Sequence, residues 1–190
     1  YRTKEGFKEI LSDLTQNNFI KKPINDWDTT LGGMVQCAYG SSHSSAVLDL
    51  IDHDDEFSVI KEYGLHEWDF NGVQNLWTDK KKKPTDTARE ATKELIKVLA
   101  SEKGVDYRTK EGFKEILSEL TVDNFQKKPI NDWDTTLGGT IYSAYGSSPS
   151  SAVLDLIKHD KDFSRLRKHK KAIKASLDEQ YLHLRKDRFE

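Results

Sequence analysis

The sequence predicts an all-α protein of two tandem modules of short helices followed by a C-terminal amphipathic basic helix. Three observations lead there. Residues 1–58 and 107–164 are two copies of one sequence, with twelve differences over 58 positions once Tyr1 is set against Tyr107. Within each copy the apolar residues recur at i, i+3, i+4 and i+7, the spacing of one helix face. Thr3, Thr15 and Ser42 stand where helices can be capped, and Pro23 and Gly40 where helices can end.

The elements follow in order. Thr3 heads a first helix with Phe7, Ile10, Leu11 and Leu14 on one face; Thr15 begins a short turn ending at Phe19, and Lys22-Pro23 breaks it. After Asn25-Asp26-Trp27-Asp28, the residues Leu31, Met34, Val35, Ala38 and Tyr39 mark a helix that Gly40 can terminate. Ser42 caps the next, which bears Ala46, Val47, Leu50 and Ile51. Residues 1–58 are repeat copy one, and 59–106 form an inter-copy segment. That segment holds Trp68-Asp69-Phe70, Trp77, the run Lys80–Lys83 before Pro84, and a strong helix from Asp86 to Lys103 with Gly104 at its C′ position. Copy two, 107–164, repeats the pattern with Phe113, Leu117 and Leu137 in place of Phe7, Leu11 and Leu31. Beyond Ser164 the copies diverge, and in 165–190 Leu166, Ile173, Leu177, Tyr181 and Leu184 draw one face of a long helix whose other face is basic.

The strong helix precedes Tyr107 but has no counterpart before Tyr1. Copy one is therefore expected to be a partial unit of an array whose start is missing, since repeat units bury their faces against neighbours. The two copies are expected to form the same helical module, because a dozen mostly conservative or surface changes leave the packing pattern intact. Trp68, Phe70 and Trp77 are expected to be mostly buried at the junction between copies.

Trp68-x-Phe70, Trp77, a long helix, Tyr107, Phe113, Thr121-x-x-Asn124-Phe125, Gly138-Gly139 and Tyr145-Gly146-Ser147 follow one another over residues 60–157. This order resembles tandem helical repeats with a W-x-F…W core, found in algae, large viruses and bacteria. The resemblance implies a helical repeat fold and no particular activity.

Composition narrows the function classes. A third of the chain is charged, yet Trp, Phe, Tyr and Leu recur regularly, so a folded, soluble chain is expected and a disordered one is not. No apolar run approaches the roughly 18 residues of a membrane span, and no signal peptide opens the chain. The single cysteine, Cys37, rules out an internal disulfide framework, and an intracellular location, cytoplasmic or nuclear, is expected. The formal net charge is −2, but from Lys158 onward eleven Lys and Arg face six Asp and Glu, so any polyanion contact belongs at that end.

The helix pairs around Tyr39-Gly40-Ser41-Ser42 and Tyr145-Gly146-Ser147-Ser148 have the length and turn glycine of a helix-turn-helix. Ser44, Ser45, Ser150 and Ser151 would then meet base edges or phosphates at the N-termini of the second helices. Two positions point instead to ordinary core helices with a serine-capped turn. Gln36 and Tyr142 stand where a small residue is expected, and Asp49 and Asp155 where an apolar one should pack.

Asp52-His53-Asp54-Asp55-Glu56 lacks the glycine of a calcium loop, and copy two puts Lys158 and Lys161 in place of Asp52 and Asp55, so no metal site is expected. Cys37 is matched by Ser143 and has no His in motif relation to it; it reads as a small buried residue, not a nucleophile. The Trp residues have acidic neighbours, which repel phosphate, so they read as core and inter-repeat packing rather than base-stacking platforms. Lys80–Lys83 resembles a nuclear-import signal, and the basic helix carries Arg165, Arg167, Lys168, Lys170, Lys171 and Lys174.

With no paired acid and base, metal set or phosphate loop, the expectation is a non-catalytic binding protein without cofactor. Two partners stand level. One is DNA or RNA, held by the helix-turn-helix-like modules and the basic helix; the other is a protein partner or neighbouring repeat on a structural scaffold.

Overall fold

The computed structural model describes residues 2–40, 42–70, 84–146 and 148–186, and every regular element among them is helical. Trp77 and Lys80–Lys83 lie outside the described residues, as do the side chains of Trp68 and Leu184. The chain divides into two compact units, Tyr1–Thr87 and Ala88–Glu190.

In unit one, Thr3 caps helix α1 (Lys4–Leu11) by accepting from the Gly6 N–H at 3.1 Å. Thr15 caps α2 (Gln16–Lys21) in the same way, and the Asn18 amide closes the intervening turn by donating to the Asp13 carbonyl at 2.6 Å. The stretch expected as a short turn is thus a six-residue helix. Helix α3 (Gly32–Tyr39) ends at Gly40, whose φ of 60° lies in the left-handed region where a side chain is disfavoured. Ser42 then caps α4 (His43–His53). Helix α5 (Ser58–Lys61) and a 3-10 turn, Glu67–Phe70, lie against α4. Among the described residues of the unit, Phe7, Leu11, Val35, Val47, Ile51, Ile60 and Phe70 are the buried large apolar ones.

In unit two the same order recurs, preceded by helix α6 (Pro84–Lys103), which begins two residues earlier than expected. Its end is closed by Gly104 at φ 66° and by the Val105 N–H donating to the Ala100 carbonyl at 3.0 Å. Helices α7 (Lys110–Leu117), α8 (Val122–Lys127), α9 (Gly138–Tyr145) and α10 (Pro149–His159) match α1 to α4 in length and cap residue. The long C-terminal helix expected from Leu166 is split. Leu166 sits in a 3-10 turn, Ser164–His169, and α11 (Lys170–Lys186) follows. The tighter turn buries Leu166 beside Phe163 while Arg167 reaches back to the Ile157 carbonyl at 3.2 Å. Ile173 and Leu177 of α11 are buried, and the Tyr181 hydroxyl donates to the Leu120 carbonyl at 2.5 Å. Phe163 meets Phe113 edge-on with ring centroids 6.1 Å apart.

Candidate binding surfaces

The sequence points first to the serine-capped turns. Their N-terminal residues face inward: Ser44 and Ser150 are buried, and the Ser150 hydroxyl donates to the Asp178 carboxylate at 3.4 Å. Ser45 is half-buried, its hydroxyl 2.7 Å from that of Ser42, and Ser151 is exposed. A helix that reads bases must present its first turn to the groove. Here Ser151 is the one candidate serine fully turned to solvent.

The basic residues divide. Arg165, Lys168 and Lys171 are exposed and Lys170 is half-buried. Arg167 donates to the Ile157 and Asp160 carbonyls at 3.2 and 3.3 Å, closing the C-terminus of α10, and Lys174 is ion-paired with Asp178.

The strongest surface feature comes from comparing the copies at identical positions. Trp133 is 6% exposed, but Trp27 is 87% exposed; Leu156 is 0% exposed, but Leu50 is 41%. Ile10 and Ile24 are also exposed where Ile116 and Ile130 are buried, and Met34 is exposed where Thr140 is buried. The expectation that Trp27 packs in a core is therefore corrected, as is that for Cys37, which is exposed. Both sit in copy one, whose sequence supplies the right apolar residues while the unit supplies less cover. The Trp27 turn keeps its local geometry all the same. Asn25 Oδ1 accepts from the Trp27 and Thr29 N–H groups at 3.0 and 3.2 Å, and Asp28 and Asp134 share a left-handed φ of 53° and 56°.

In both copies the tyrosine that ends the third helix donates to an aspartate on the fourth: Tyr39 to Asp49 at 2.6 Å and Tyr145 to Asp155 at 2.8 Å. The sequence marks Asp49 and Asp155 only as places where an apolar residue should pack. The recurrence of Tyr and Asp ten residues apart in both copies was the signal for this bond. In copy two Asp155 also takes Arg89 of α6, at 2.9 Å, and Lys93 lies 3.0 and 2.6 Å from Asp160 and Asp162. Burial opposes the charge on Lys93, but its hydrogen bonds to Asp162 and Asp160 win and raise its pKa above the ordinary lysine value. Lys93 in turn holds the Asp162 carboxyl below its usual range.

Among the described residues no group of His, Cys, Asp and Glu is arranged to hold a metal ion, and no helix is long and apolar enough to cross a membrane. Comparison with protein-family models, curated proteins and solved structures gave no match to this chain.

Proposed function

We propose that the chain is a non-catalytic repeat protein of two tandem helical modules, acting inside the cell as a scaffold that binds a protein partner through the apolar face of copy one. The observation that carries this reading is Trp27, an indole 87% exposed whose twin Trp133 is 6% exposed. Ile24, Trp27 and Met34, exposed within one short stretch of the chain, support it, because exposed apolar patches mark protein-binding surfaces. The inward turn of Ser44 and Ser150 weakens the competing groove-reading mode.

A second reading, binding of DNA or RNA by the basic C-terminal segment, has the exposed Arg165, Lys168 and Lys171 in its favour. One pair of measurements separates the two. On the protein-binding reading an environment-sensitive apolar dye binds the chain, and replacing Ile24, Trp27 and Met34 by Ser abolishes that binding without changing the helical circular dichroism. The chain also passes heparin and DNA columns unretained at about 50 mM salt, where phosphate contacts are strong. Retention that falls with salt, at a slope of about −0.9 per phosphate contacted, and that disappears when the six cations from Arg165 to Lys174 become Gln, would replace it with the nucleic-acid reading.

A further inference from the structure

Unit two carries a helix against the charged positions of its module. In unit two, helix α6 lies across the module on a row of charge pairs: Arg89 with Asp155, Lys93 with Asp160 and Asp162, Glu102 with Lys128, and Lys103 with Glu119. Between these pairs Ala88, Ala91, Leu95, Ile96 and Leu99 of α6 are buried. Copy one has the same sign of charge at every partner position. Asp49, Asp54, Glu56, Lys22 and Asp13 stand where Asp155, Asp160, Asp162, Lys128 and Glu119 stand in copy two. Three of these are identical and two exchange one acid for the other, whereas Asp52 and Asp55 of copy one stand where copy two has Lys158 and Lys161.

The backbone agrees. A Cβ on Gly112 would sit 2.1 Å from the carbonyl oxygen of Asp106, so only glycine lets the chain leaving α6 pass over the first turn of α7. Copy one has glycine at the equivalent Gly6. Glycine in a helix costs about 1 kcal/mol relative to alanine, so its place here is explained by a passing chain rather than by helix stability.

Resting on the protein-binding reading above, we propose that the open face of copy one seats a partner helix of the α6 pattern. Such a helix is amphipathic and rich in alanine and leucine. Its Arg-x-x-x-Lys pair lies on Asp49 and on Asp54 with Glu56, and a Glu-Lys pair at its C-terminal end meets Lys22 and Asp13.

The test adds residues 84–106 directly before Tyr1 of the full chain, recreating the junction between Asp106 and Tyr107. Tethering raises the effective concentration of the helix to the millimolar range, which offsets the marginal stability of an isolated helix of this length. Amide hydrogen exchange in α1 and α4 should slow toward the rates of α7 and α10. The effect should vanish when the added helix carries Leu95→Asp, and shrink when it carries Arg89→Glu with Lys93→Glu. These changes lie in the added segment, so copy one folds as before. Exchange in α1 and α4 that is unchanged by the native helix, or slowed equally by all three versions, would overturn the assignment. If the serine variant at Ile24, Trp27 and Met34 still loses the dye in that case, only the identity of the occupant falls. If it does not, the protein-binding reading falls as well.

Discussion

At the scale of single residues, identical side chains in the two copies should respond differently to the same change. Trp133→Ala removes a buried indole and is expected to cost about 3–5 kcal/mol, as large aromatic truncations in cores do. Trp27→Ala removes an exposed one and should fall within about 0.5 kcal/mol of the parent, as surface substitutions do. Denaturant unfolding followed at amides of the copy concerned measures both; equal costs would refute the difference in cover. Gly112→Ala is expected to destabilise unit two by about 1–3 kcal/mol, the cost of overpacking, because its Cβ would strike the Asp106 carbonyl. A neutral result in thermal unfolding would mean that this backbone crossing is looser than described. What the sequence made legible at this scale is what depends only on neighbours in the chain. Thr3, Thr15 and Ser42 act as caps as expected, since a cap needs no more than the next three residues. The exposure of Trp27 and Cys37 was not legible, because it depends on which elements the rest of the unit brings over them.

At the scale of elements, α6 is held to unit two by charge as well as by its apolar face, and pH should reveal it. Asp162 has its carboxyl pKa lowered by Lys93, so its contribution is complete above the ordinary carboxylate range and is lost as pH falls through the lowered value. Lys93 has a raised pKa, so its contribution is complete below the ordinary lysine value and is lost as pH rises through the raised one. Protection of α6 amides should therefore be greatest between about pH 5 and pH 10 and decline on both sides. Lys93→Gln should flatten both declines; a profile indifferent to that substitution would remove the ion pairs from the account. Helix boundaries were readable to within a few residues, and the strong α6 pattern gave its end at Gly104. The division at Lys170 between the 3-10 turn and α11 was not readable. It follows from the demand of Arg167 for the Ile157 and Asp160 carbonyls, a contact between elements that leaves no periodic trace.

At the scale of the whole molecule, two nearly identical sequences form the same order of helices and differ in what surrounds them. All-α architecture and internal duplication are legible in the sequence, whereas the site is not: the candidate serines and cations are partly turned inward or engaged, and the open face of copy one shows only against its twin. Unit two should accordingly outlast unit one in stepwise unfolding. The central claim is that copy one is under-covered, and native-state amide hydrogen exchange on the unmodified chain tests it most directly, since α4 and α10 differ at only two of eleven positions and so share nearly the same intrinsic chemistry. Helices α7 and α10 should exchange markedly more slowly than α1 and α4. Equal protection of the paired helices would contradict it.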